Sequence, residues 1–306
     1  MIKVIVGFVA LVLLSAPQTG IRASGEADPT PASRSTPSAT TSQDVPSSSV
    51  LPPPVVNDAV WRPGPQLSWQ LQFATTPVDL SVEADVYKID LFDNDAEVVS
   101  ELHDKGKKVV CYLNAGAWED WRPDAKRFPA AAMGRAYKGW AGERWLDIRR
   151  IDLLAPVMLA RLDLCKDKGF NGVMLDNVNS YTNKTGFPLT GWDQLRFNVW
   201  LANEARKRGL AVGMNNNSEQ ARQLLPYFDW VLAESCFSQG WCKALRPFAE
   251  QGKPVVVIEY TKNSARVAAL CRKASALHFS LLLKKRELDA YRLDCSRRAG
   301  ASGKRL

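Results

Sequence analysis

From Trp61 onward the chain alternates between short runs rich in β-branched and aromatic residues and longer amphipathic stretches. The runs are LSWQLQF (67–73), DVYKIDLF (85–92), KKVVCYLN (107–114), NGVMLDN (171–177), LAVGMNN (210–216), DWVLAES (229–235), KPVVVIEY (253–260) and LHFSLLLK (277–284), eight candidate strands. Helical patterns fill the gaps: NDAEVVSELHDKG, LLAPVMLARLDLCKDKG and WDQLRFNVWLANEARKRG, then the shorter SEQARQLLPY and ALRPFAEQG. Three of these end in a basic residue followed by Gly, the signature of a helix C-terminus, just before a new strand. Strict β/α alternation demands parallel pairing, and eight such units in about 240 residues predict a closed (β/α)8 TIM barrel. An open doubly wound sheet is the alternative. It lacks support, because neither GxGxxG nor GxxxxGK[ST] follows any strand.

Residues 1–23 read as a signal peptide: Lys3 supplies positive charge, and Val4 to Leu14 is apolar but too short to span a bilayer. Small residues near Ala16 or Ala23 offer a cleavage site, and an uncleaved membrane tether is the alternative. Residues 24–60 collapse to Ser, Thr, Pro and Ala with no aromatic, ending near Pro52, Pro53 and Pro54. Such a segment buries too little apolar surface to offset its conformational entropy, so a disordered linker is expected there and a folded domain over 61–300. Export places the protein outside the cytoplasm, secreted or periplasmic, where disulfides persist. Cys236 and Cys242 in CFSQGWC are close enough to clamp a loop, and Cys271 with Cys295 could tie the C-terminal helices together. Cys111 and Cys165 read equally as two buried thiols or a third bridge. No CxxC or Cys/His cluster suggests a metal, and no cofactor is expected. Much of the excess behind the net charge of +8 sits late in the chain, almost without interleaved aromatics, which argues against a nucleic-acid partner. No stable membrane insertion is expected, and nothing requires more than a monomer.

In a parallel barrel the site forms at the C-terminal ends of the strands. Those ends carry Trp69, Gln70 and Gln72; Asp90 and Asp93; Tyr112 and Asn114; Asp176 and Asn177; Asn215 and Asn216; Glu234; Glu259 and Tyr260; and Lys284. Any one Asp or Asn could be a helix cap, but a whole rim of polar groups exceeds what capping needs. The chain has two histidines, His103 inside a predicted helix and His278 at the start of the last strand, and no GxSxG. A Ser-His-Asp or Cys-His nucleophile is therefore not expected, and a metal site would lack histidine ligands. Paired-carboxylate chemistry remains. Glycoside hydrolysis needs one carboxyl as proton donor and one as nucleophile or base, with aromatic faces for the sugar rings. Trp69, Trp118, Trp121, Trp140 and Trp145 lie in or beside the expected loops, although core packing is the commoner fate of a Trp. Asp176 and Glu234 end strands two positions apart round the barrel, which sets them across a cleft; Asp90 and Glu259 are the next candidates. A catalytically silent carbohydrate-binding barrel is the competing class, but it has no need of two opposed carboxylates.

KVVCYLNAGAWEDWRPDAKRFP, GWAGERWLDIR, RLDLCKDKGFNGVMLDNVNSY, AESCF and GKPVVVIEY, in that order over most of residues 61–295, closely resemble the secreted endo-α-1,4-polygalactosaminidases, glycoside hydrolase family 114. The resemblance implies a (β/α)8 barrel that cleaves α-1,4-linked galactosamine polymers of microbial biofilm exopolysaccharide; another α-linked polymer is the alternative substrate. It implies Asp176 as nucleophile and Glu234 as general acid/base of a retaining enzyme. Asp147 and Arg149 match a motif on the long loop after the third strand and are expected to shape subsites. Asp90, Tyr112, Asn177, Tyr181, Glu259 and Tyr260 match as well, and Trp118 and Asn215 complete the expected substrate-binding set. The chain departs from the family's fungal pattern at Asn179, where an acid stands, and at Asn215, where a lysine stands.

Overall fold

The computed structural model describes residues 50–73, 77–261 and 263–295; the expected signal peptide lies outside them. Eight parallel strands follow one another round a single curled sheet in chain order: β1 (Trp69–Gln72), β2 (Val86–Asp90), β3 (Lys108–Asn114), β4 (Gly172–Asp176), β5 (Ala211–Asn215), β6 (Trp230–Glu234), β7 (Val255–Glu259) and β8 (Ser280–Leu283). Helices α1 (Ala96–Asp104), α2 (Ile151–Asp167), α3 (Gly191–Lys207), α4 (Ala221–Leu224), α5 (Cys236–Gln239), α6 (Arg246–Glu250) and α7 (Ser264–Ala276) pack outside it. Three of the four longer helices are capped from the sequence, α2 being the exception. Asp95 accepts from Val98 N at α1, Thr190 and Asp193 form a reciprocal capping box at α3, and Asn263 accepts from Arg266 N at α7. Among the described residues no helix is long and apolar enough to cross a membrane.

Side-chain alternation along the strands separates two cores. Residues facing outward pack against the helices, while Trp69 and Leu71 of β1, Val86, Val110, Met174, Ala211, Trp230, Leu232, Val256, Ile258 and Leu282 form a second buried cluster. That inner cluster draws on all eight strands, as the filled interior of a barrel must. Trp230 spans it so closely that a Cβ on Gly213 would lie 2.1 Å from Trp230 Cε2, so only glycine fits at 213. Trp69 is thus an inward residue at the starting end of β1, where it meets Trp230 at 5.7 Å, and not the rim aromatic its sequence position suggests.

Closure is completed by side chains. Among the described residues β8 and β1 share no backbone ladder; a short strand, Leu293–Asp294, pairs antiparallel with β8 instead. Lys284 Nζ donates to Gln70 Oε1 at 3.2 Å and to Asp289 O at 2.7 Å, Gln70 Nε2 donates to Ala290 O, and Phe73 N donates to Leu288 O. Lys284 therefore stitches the seam and does not face the cleft. Residues 51–60, placed by composition in the linker, pack on the domain instead. Val55 N donates to Asn203 Oδ1, Tyr227 OH donates to Pro52 O, and Val60 belongs to the inner cluster, so residues 51–60 lie against the barrel.

All six cysteines are paired. Cys236–Cys242 and Cys271–Cys295 join as their spacing suggested, the latter linking α7 to the segment after β8, and Cys111–Cys165 forms a third bridge between β3 and α2.

Candidate active site

Three consecutive strands deliver the centre of the site. β4 ends at Asp176, β5 at Asn215 and β6 at Glu234, each followed by a residue in the left-handed region: Asn177 (φ 56°), Asn216 (φ 56°) and Ser235 (φ 58°). Asn tolerates that region better than other non-glycine residues, which explains the amides clustered behind the strands. The abrupt turn lets each terminal side chain stay on the inner face while the backbone leaves the sheet.

Asp176 accepts three hydrogen bonds: from Tyr112 OH at 2.7 Å, from Asn215 Nδ2 at 2.7 Å and from Asn177 N at 2.7 Å. Glu234 accepts from Tyr260 OH at 2.8 Å, and its other oxygen lies 3.5 Å from the same Asn215 Nδ2. One amide nitrogen thus bridges the two carboxylates. Burial, reinforced by the neighbouring carboxylate, pushes the phenols of Tyr112 and Tyr260 well above their usual value, so both remain O–H donors. Asn177 Nδ2 donates to Asn114 Oδ1 and so ties the turn after β4 to the end of β3.

Other expected residues hold the rim in place. Asp90 is buried, takes two bonds from the Arg122 guanidinium at 2.8 and 2.6 Å, and caps Phe92 N and Asp93 N. Glu259, 1% exposed, accepts from Phe237 N, Ser238 N and the Ser238 hydroxyl. Both anchor loops from beneath. Asp147 pairs with Arg149 at 2.7 Å, and the Arg149 guanidinium lies over Phe187. Trp118 Nε1 donates to Ala125 O, and Tyr181 OH donates to Glu219 Oε2, joining the loops after β4 and β5.

The long loop after β3 carries a three-stranded antiparallel sheet, Ala117–Glu119, Glu143–Leu146 and Met133–Ala136 in spatial order. It brings groups absent from the expected set. Glu143 pairs in register with Glu119 and lies 3.4 Å from Asn114 Nδ2; burial first, then the charges of Glu119 and Asp176, pushes its carboxyl up to about 8. Arg122 Nε lies 3.0 Å from Glu119 Oε2, while its other nitrogens hold Asp90. Tyr137 stacks at 4.1 Å on Trp145, and the charges of Asp176, Glu143 and Glu234 add to the burial that raises its phenol. Nothing in the sequence singles out this second layer, because Glu119, Arg122 and Glu143 are three among many charged residues of the loop between β3 and α2. Among the described residues no group of three or more His, Cys, Asp or Glu is disposed to hold a metal ion.

A parallel barrel with two facing carboxylates at the C-terminal rim, held by tyrosine and asparagine donors, defines a glycosidase-type centre. Residues 51–300 match the model of Glycoside-hydrolase family GH114, and the chain belongs to that family of glycoside hydrolases. Among solved structures, it is 34% identical to Ega3 of Aspergillus fumigatus, crystallised with galactosamine, over 77% of this chain and 97% of that one, with a TM-score of 0.74. The glycoside hydrolase domain of PelA from Pseudomonas aeruginosa shares the fold at 18% identity and a TM-score of 0.59, over 74% of this chain and 97% of that domain. No curated protein sequence matches significantly.

Proposed function

We propose that the chain is an exported endo-glycosidase that cleaves α-1,4 links in galactosamine-containing exopolysaccharide by a retaining double displacement. One observation carries the mechanism: Asn215 Nδ2 reaches both Asp176 and Glu234. Laid end to end, those two contacts keep one oxygen of Asp176 and one of Glu234 within about 6 Å of each other, a close approach that favours the roughly 5–5.5 Å carboxyl spacing of retaining pairs.

The hydrogen bonds also divide the roles. Asp176 is held by three short donors, a fixed geometry that suits a nucleophile aimed at one atom. Glu234 has one short donor and one long one, the looser hold expected of a group that gives and takes a proton at the leaving oxygen. Asp176 attacks the anomeric carbon while Glu234 gives its proton to the leaving oxygen; the same Glu234 then takes a proton from water as water displaces Asp176, which restores the starting state. Tyr112, Asn177, Asn215 and Tyr260 act by orienting the carboxylates. Trp118, Asp147, Arg149 and Tyr181, on the loops above, are assigned to outer subsites, whereas Asp90 and Glu259 support the rim from beneath.

The galactosamine held by Ega3 at 34% identity supports the substrate class. Three disulfides fit an oxidising compartment, and a leader over residues 1–23 with a monomeric secreted state completes the proposal. Incubation of the full chain with polygalactosamine should release reducing ends, and Asp176→Asn or Glu234→Gln should lower the rate by about 10²–10⁴-fold. Binding without cleavage by the wild type would sink the enzyme reading. Early proton NMR of the products separates the stereochemistries: the α-anomer appearing first supports retention, and the β-anomer first refutes it.

A further inference from the structure

One charged group in the barrel interior is unused by this mechanism. Lys88 lies on β2 between Val86 and Asp90 on the inward-facing side, and it is 1% exposed. Its Nζ sits 5.0 Å from the centroid of the Tyr112 ring and 5.2 Å from that of Phe73. Among the described residues no carboxylate lies within ion-pair distance of it. A lysine buried that deeply is costly unless an opposite charge compensates it. Burial lowers its proton affinity, and the charges of Asp176 and Glu234 act against that fall.

Attraction of this kind is mutual. An ammonium that the two carboxylates help to keep charged sets a positive charge opposite them in the barrel interior. It also lies over the face of the ring whose hydroxyl donates to Asp176 at 2.7 Å, so its field acts on the nucleophile directly and through the phenol. The groups facing this arrangement are Asp176 from β4, Glu234 from β6, Tyr112 from β3, and Glu119, Glu143 and Tyr137 from the loop sheet. Tyr260, which donates to Glu234, has the Arg286 guanidinium 4.9 Å from its ring centroid, so Arg286 acts on the Tyr260 side of the pair, and Lys88 is the cation on the Tyr112 side on which both Asp176 and Glu234 act.

We propose that Lys88 is a positioning residue for the glycosidase reaction: from beneath the site it sets a positive charge under the Asp176–Glu234 pair and keeps Tyr112 in donor geometry to Asp176. The inference rests on the assignment of Asp176 and Glu234 as the catalytic pair.

The test is the acid limb of kcat/KM against pH on polygalactosamine, which reports ionisation of the free enzyme. Lys88→Met keeps the stem and removes the charge, and replacing a buried charge by an apolar isostere is compatible with folding. Its acid limb should move up by about one pH unit, a roughly tenfold loss on the limb that fades at higher pH, while Lys88→Arg should return the limb toward the wild-type position. A merely structural lysine would lower kcat at every pH and leave the limb in place, and that result overturns the proposal. Lys88→Gln is the second neutral variant. If Met and Gln both fail to fold while Arg folds, the charge serves the fold, and the catalytic assignment falls. Failure of the catalytic reading itself would show separately, as wild-type inactivity or as full activity in Asp176→Asn.

Discussion

Asn215 gives one amide nitrogen to two carboxylates, so its loss should be felt by both. In Asn215→Ala the two like charges face each other with only Tyr112, Tyr260 and the Asn177 N–H left as donors, and one of them should hold its proton to higher pH. The expected result is a loss of at least about tenfold in kcat/KM together with an upward move of the acid limb, read from initial rates across pH. Glu143 makes a different prediction. Its folded carboxyl titrates near 8 against an ordinary 4.5, so between those values the folded chain keeps a proton that the unfolded chain releases. Its contribution to stability is full below about 4.5 and is lost as pH rises through about 8. Glu143→Gln removes that titration, so the variant should gain stability relative to the wild type as pH rises through the window, by up to about 1.4 kcal/mol per pH unit. Denaturant melts at a series of pH values check this, and a constant difference across the window would refute it. Asp176 and Glu234 could be chosen from sequence because both end strands. Glu143 could not, since its loop position gives no hint that it folds back over Asn114.

At the scale of elements, the eight strands and the long helices were legible because their periodicity and C-terminal Lys/Arg-Gly signals are local. The loop sheet was not. Its strands AWE, MGRA and ERWL are too short to show alternation, and Arg122 meets Asp90 and Glu119 only once the loop has folded back on the barrel. Arg122→Ala should leave two buried carboxylates without a cation, at a cost of about 3–5 kcal/mol in unfolding free energy. A loss below about 1 kcal/mol would mean that the carboxylates simply take up protons. Gly213→Ala probes the barrel wall: the added Cβ would strike Trp230, and a destabilisation of about 1–3 kcal/mol or more is expected in a thermal melt.

For the whole molecule, the barrel's starting end is closed by Trp69, Trp230 and the incoming chain, with Trp61 6.1 Å from Trp230 and Val60 in the inner cluster. A chain beginning at Trp61 should therefore melt at a lower temperature than one beginning at Val50, with active-site chemistry unchanged; equal melting temperatures would show that residues 51–60 merely rest on the surface. Composition assigns that segment to a linker because Pro-rich sequence has no apolar face of its own. It orders because the barrel supplies donors to its carbonyls, as Tyr227 OH does for Pro52. The seam between β8 and β1 has the same origin, since Lys284 meets Gln70 only after the sheet has curled through all eight strands. By itself the sequence determined the alternation that makes a parallel barrel, the rim on which Asp176 and Glu234 stand, and the oxidised state expected of its cysteines. Those properties are written in residues near one another or in positions fixed by strand direction. Tertiary structure alone decided that Asn215 bridges the pair, that Asp90 and Glu259 are buried holding loops, and that Lys88 lies beneath the nucleophile. Each of these depends on which side chains of different strands share one interior, a relation that hydrophobic burial sets only when the sheet closes.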